Sequence, residues 1–166
     1  MKKFPIIICI LSLLFGCTFS TKAPSNSGKI SSTTDLFYDF GNMDINGGYQ
    51  SHTFSFANDG LTPLYISDLK TSCMCTKAEI KNNSLETVQT SNTKFEPGEL
   101  FHVFVTYDPL AHGPNAVGDV NRSIILSTTS EENGRTAVKF DDSDLTFTQM
   151  NIKGNVMYTE DYNNLK

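Results

Sequence analysis

The chain is 166 residues long, enough for one domain with its own core and too short for a large multidomain enzyme. Apolar residues make up 39% of it and charged residues 19%, a balance that lets it bury a core and sets it apart from disordered chains. Its 13 basic residues stand against 18 acidic ones with no basic patch, so it lacks the electrostatic footprint that grips phosphate, and nucleic acid is not an expected partner.

Residues 1–16 read MKKFPIIICILSLLFG, two lysines followed by an apolar run from Phe4 to Phe15. That run is well short of the roughly 20 residues an α-helix needs to cross a bilayer, and it has the pattern of a signal peptide. It ends Leu14-Phe15-Gly16-Cys17, which resembles the bacterial lipoprotein box, in which the cysteine is lipidated and becomes the new N-terminus. Cys17 is therefore the expected lipidation site, with palmitate-type acyl chains holding the protein on a membrane surface. Removal of the leader takes Lys2 and Lys3 and no acidic residue, moving the net charge from −5 to −7, so attachment owes nothing to basic side chains. Residues 17–34 are rich in Ser, Thr, Gly and Pro and read as a flexible tether, with order expected from Asp35 onward.

Beyond Asp35 the pattern is one of short strands. Leu36, Tyr38 and Phe40 alternate up to Gly41; His52, Phe54 and Phe56 alternate up to the turn signal Asn58-Asp59-Gly60, and both Asn58 to Pro63 and Pro97-Gly98-Glu99 read as hairpin turns. Leu64 and Ile66, with Tyr65 and Leu69, form a third strand after Pro63, and Ala78 with Ile80 a short fourth. Phe101, Val103, Val105 and Tyr107 alternate after Pro97-Gly98, and residues 123–128 and 145–156 complete about seven strands. No window carries a sustained helical apolar period. Seven short strands between turns within roughly 120 residues predict an all-β, immunoglobulin-like antiparallel β-sandwich over residues 35–158, with a tail at 159–166. Having no Trp and no widely spaced cysteine pair, it must fill its core with Phe and Val. Residues 84–94 and 131–144 interrupt the rhythm and read as long polar loops or hairpin extensions.

The chemistry-bearing residues are few. Of four cysteines, Cys9 lies in the leader and Cys17 is consumed by lipid, which leaves Cys73 and Cys75 in the run Thr71-Ser72-Cys73-Met74-Cys75-Thr76. In an extended strand, residues two apart have Cα atoms about 6.6 to 6.8 Å apart, the upper limit for a disulfide, so a bridge requires a local kink. Such a bond closes almost no chain and makes an unconvincing stability staple. The alternatives are free thiols or a soft-metal pair for copper(I) or zinc, completed by Met74 and one of His52, His102 or His112. An exported protein meets oxidising conditions, which favours the bridged form. Dithiol exchange would need something to stabilise a thiolate, and no βαβ pattern or helix N-terminus supplies it.

Several motifs in register carry a resemblance. Tyr38-Asp39-Phe40-Gly41, then Phe56-Ala57-Asn58-Asp59-Gly60 with Pro63-Leu64-Tyr65-Ile66, Ser72-Cys73-Met74-Cys75-Thr76, Pro97-Gly98-Glu99, Val105-Thr106-Tyr107-Asp108 and Ile152-Lys153-Gly154-Asn155-Val156 together resemble the bacterial domain-of-unknown-function 1573 family from Asp35 to about Tyr158. That resemblance implies an Ig-type sandwich related to the Hydin and abnormal-spindle domains, exported, often lipid-anchored and without established enzymatic activity. The chain departs from the family pattern at Met74, where the family has Gly; a non-Gly residue resists the positive φ that a tight Cys-x-Cys ring can require.

Asp141, Asp142 and Asp144 are spaced somewhat like a calcium loop but lack its glycine and closing glutamate, so a solvated loop is expected there. No nucleophile, metalloprotease or phosphate-binding motif is present, and neither a cofactor, a resident metal nor a small-molecule substrate is expected. The reading that follows is a lipid-anchored structural or interaction module of the bacterial envelope, on the outer membrane facing the periplasm, with other envelope proteins as partners. The rival reading is redox or metal handling through Cys73 and Cys75.

Overall fold

A computed structural model describes residues 27–90, 93–130 and 145–165. Among the described residues, ten strands form two five-stranded sheets. β1 (Ile30–Ser32), β3 (Gln50–Asn58), β8 (Leu100–Tyr107), β5 (Thr76–Asn82) and β6 (Thr87–Val88) lie side by side in that order in one sheet. β2 (Phe37–Asp44), β10 (Thr146–Met157), β9 (Gly118–Thr129), β4 (Leu64–Thr71) and β7 (Lys94–Phe95) make the other, and one short helix, α1 (Thr159–Asn163), follows. This is an immunoglobulin-like β-sandwich, and the seven strands expected from alternation are all present.

The alternation sets which face of each strand is buried, because successive side chains point to opposite faces of a sheet. In β8, Phe101, Val103, Val105 and Tyr107 are buried while His102, Phe104 and Thr106 are partly exposed. Phe54 and Phe56 of β3 pack beside them, with Phe56 and Phe95 both stacked against Phe101 at centroid distances of 5.4 and 4.3 Å. Each such ring, removed from water, contributes about 2 to 3 kcal/mol before ordering costs are counted. Isoleucine shares the interior with phenylalanine more than valine does: Ile45, Ile66, Ile80, Ile124 and Ile152 are buried, against Val103, Val105 and Val156.

Three expectations are corrected and one open reading is decided. The tether expected over residues 17–34 contains a strand, since Ile30–Ser32 pair with Phe56–Asn58 of β3; main-chain pairing supplies the order that this polar composition conceals. Residues 84–94 answer to the hairpin-extension reading, because β6 pairs antiparallel with β5, and β7 pairs with β4 at the far end. The sheets are not wholly antiparallel: β2 runs parallel to β10. Finally, Asn58–Pro63 and Pro97–Glu99 do not close hairpins but carry the chain from one sheet to the other. The leader, Cys17, residues 131–144 and with them Asp141, Asp142 and Asp144 lie outside the described residues.

The parallel pair contains a bulge, for Asp39 faces Lys153 while Asn42 faces Asn155, so that two residues of β2 oppose Gly154 alone. Gly41 takes the positive φ (66°) this requires. Across from it, a Cβ on Gly154 would lie 2.6 Å from the Met43 methyl carbon and 3.0 Å from the Gly41 carbonyl oxygen. The Met43 methyl can swing away, so the Gly41 carbonyl is the rigid contact that makes Gly154 a close fit to the bulge.

Candidate functional site

Cys73 and Cys75 sit in the connection from β4 to β5, where the chain leaves one sheet for the other. They are joined by a disulfide, with Cα atoms 5.2 Å apart. The kink that an extended strand would lack is supplied by a turn: Thr76 N donates to Cys73 O at 3.1 Å, and Thr71 Oγ1 donates to the same oxygen at 3.2 Å. Met74 does not need positive φ, since among the described non-glycine residues only Leu85 has it, and the objection raised by the missing glycine falls. The turn is anchored on both sides. Ser72 N donates to Ser123 O, Ser123 N donates back to Ser72 Oγ, and Asp108 N donates to Cys75 O at 2.8 Å.

The two sulfurs have different surroundings. Cys75 is buried at 2% exposure, whereas Cys73 is only partly buried and Met74 between them stands 85% exposed. Arg122, near the start of β9, donates from Nε to Cys75 Sγ at 3.2 Å, and its Nη1 donates to Asn121 O. His112, exposed in the loop 108–117 between β8 and β9, brings Nε2 to 3.2 Å from Cys73 Sγ. That loop is shaped by Asp108, whose carboxylate accepts from Leu110 N, and by Gly113 at φ 95°, whose amide donates to Leu110 O. Tyr107 lies below the cluster; burial pushes its phenol pKa up, and the Arg122 charge partly opposes that shift.

Of the three histidines weighed as partners for the cysteines, the structure brings in one. His52 stacks on Tyr38 at 3.7 Å and meets Phe54 edge-on, and its partial burial lowers its pKa. His102 Nδ1 pairs with Ser55 Oγ at 2.9 Å. The sulfurs of Cys73 and Cys75 and a His112 ring nitrogen lie within 4.8 Å of one another. These three could hold a soft metal only after the disulfide is reduced, with a tetrahedral position left open. The fixed positive charge of Arg122 beside Cys75 opposes a cation there. Arg122 is the residue that sequence reasoning missed; it is 47 positions from Cys75 and belongs to no motif.

A second motif cluster occupies the other end of β4. Asn58 is fully buried, and its side chain makes four bonds to main chain: Nδ2 donates to Thr62 O and Phe95 O, and Oδ1 accepts from Lys29 N and Gly60 N. The Phe-x-Asn-x-Gly-x-x-Pro-Leu run is therefore a structural clamp between the sheets.

The family model for the protein of unknown function DUF1573 matches residues 30–143, more than half of the chain, and the chain belongs to that family. The β10 motif lies beyond the match. No curated protein matches. Among solved structures, a protein of unknown function from Porphyromonas gingivalis W83 is similar at a TM-score of 0.55 and 13% identity, over 83% of this chain and 51% of that one. The chain thus spans about half the length of that protein. The VesB protease of Vibrio cholerae is similar at a TM-score of 0.51 and 13% identity over 78% of this chain and 32% of the protease, and the ASH/PapD-like domain of human CEP192 at 0.49 and 12% over 96% and 98%. At these identities the first two likenesses speak to fold alone.

Proposed function

We propose that this protein is a binding module of the bacterial envelope, held by lipid on Cys17 at the outer membrane and facing the periplasm. The observation that carries the binding role is β2: it is an outer strand of eight residues, with β10 on one side and no described strand on the other. In a parallel ladder alternate residues turn their main-chain groups away from the neighbour. Asn151 N donates to Leu36 O, which leaves Phe37 and Asp39 facing outward. An extended segment of another envelope protein can pair there through main chain alone. The disulfide supports export, since such bonds persist outside the reducing cytosol.

The test compares capture of envelope proteins by wild type, Asp39→Pro and Cys73→Ser/Cys75→Ser. Proline at an outward position of an edge strand removes one outward donor; because it also removes the carboxylate bonded to Gly41 N and Lys153, circular dichroism of the variant checks that the sandwich persists. Capture is expected to be lost in Asp39→Pro and kept in the cysteine variant, with Cys17 found acylated by mass spectrometry. Unchanged capture in Asp39→Pro overturns the edge reading, and unmodified Cys17 overturns the anchor.

A further inference from the structure

The surroundings of the two sulfurs carry a second activity, independent of the edge of β2. We infer that the Cys73–Cys75 bond is a dithiol-exchange site that oxidises an incoming dithiol, with Cys73 the sulfur attacked and Cys75 the sulfur that leaves.

Accessibility assigns the roles. Cys75 is buried, while Cys73 is partly exposed and flanked by the exposed Met74 and His112, so an incoming thiolate reaches Cys73 first. Attack there breaks the bond toward Cys75, whose sulfur departs as a thiolate directly against Arg122 Nε, 3.2 Å away. A guanidinium cannot lose its charge at any ordinary pH, and a hydrogen bond between charged partners is about twice as strong as a neutral one. Arg122 thus does for Cys75 what a helix N-terminus does in other disulfide-exchanging proteins. On the other side, His112 Nε2 is in reach of Cys73 and can hand it a proton when that sulfur is released.

The exchange balances with a dithiol as co-reactant. Its first thiolate forms a mixed disulfide with Cys73, and the Cys75 thiolate departs. The second thiolate of the same molecule then attacks its own sulfur in that mixed bond, closes a new disulfide and releases Cys73. Two electrons pass from the dithiol to the cysteine pair. Of the dithiol's two protons, one ends on Cys73 through His112 and the other on Cys75 or, while Cys75 stays ionised beside Arg122, in solvent. Opening the bond does not require the turn to move, because the Thr76, Thr71, Ser72 and Asp108 hydrogen bonds hold it independently of the sulfurs. Stabilising the reduced form makes a disulfide more oxidising.

The full chain purified without reductant is equilibrated in glutathione buffers, and its reaction with dithiothreitol and with a reduced, unfolded protein bearing cysteine pairs is followed. Wild type is expected to exchange with its fold intact by circular dichroism. Arg122→Gln lowers the equilibrium constant for reduction about tenfold, or about 30 mV for a two-electron couple, and Arg122→Lys recovers most of it. In Cys75→Ala, mass spectrometry finds glutathione on Cys73. Any of three results overturns the inference: no exchange with either dithiol unless the chain is unfolded; Arg122→Gln within twofold of wild type; or a reduced chain that binds one equivalent of zinc or copper(I) and does not exchange. The wild-type reaction decides the matter even where a variant fails to fold.

Discussion

The two ends of β4 carry the two most conspicuous motifs of the chain, and they are built on opposite lines. At one end Asn58 is fully buried, and its side-chain amide makes four bonds, all to main chain. At the other, roughly 25 Å away along the strand, a sulfur faces outward beside an exposed imidazole while its partner sulfur rests on a guanidinium. Both motifs stand out equally in the sequence. Their difference is that the asparagine has spent its hydrogen-bonding capacity on main chain, whereas the cysteine pair, with Cys75 in the core and Cys73 packed against it, also meets the side chains of Arg122 and His112. A polar residue whose partners are all buried main chain is there to hold the chain, and one whose partners are charged and reach solvent is available for chemistry.

This contrast can be broken most directly at its rigid end. Asn58→Ala strands the buried Gly60 amide and Phe95 carbonyl and frees the part-buried Lys29 amide and Thr62 carbonyl; since each buried unsatisfied group costs about 1 to 3 kcal/mol, a loss of about 3 kcal/mol in denaturant unfolding is expected. Reducing the Cys73–Cys75 bond should cost far less, about 1.5 kcal/mol or below in the chain-entropy account, because the loop it closes is only three residues long. If the two losses are equal in paired unfolding curves, the bond is a staple after all and the distinction between the ends collapses. The smallest effect is expected at His52. Burial lowers its folded-state pKa below that of the unfolded chain, so the unfolded state binds more protons in the imidazole range. Its contribution is complete above the unfolded value, about 6.5, and is lost as pH falls toward the lower folded value. A thermal melt series across this range should show Tm declining on acidification, and His52→Phe, which keeps the stack on Tyr38, should flatten that slope.

Much of the fold was legible because it rests on a local pattern. The alternation of Phe101, Val103, Val105 and Tyr107 named both the strand and its inner face. β1, β6 and β7 escaped because two or three residues hold no period, and what makes them strands is the neighbour they bond to. The parallel run of β2 beside β10 leaves no trace in either segment. The cysteine pair was visible as a candidate, and the doubt over Met74 was reasonable but wrong, because the turn closes through the Thr76 amide without positive φ. The sequence offered three histidines without a way to choose among them. Arg122 offered no signal at all, since proximity between residues 47 apart is made by topology and not by spacing.

The pairing of β2 with β10 bears on how the molecule matures. Phe37 finds its place against Asn151, more than a hundred residues further along the chain, so this sheet cannot close until β10 has been made. Such distant joining is slow. During that interval a half-made sandwich would show its phenylalanines, and the speed with which β10 arrives sets how long they stay open to chance partners.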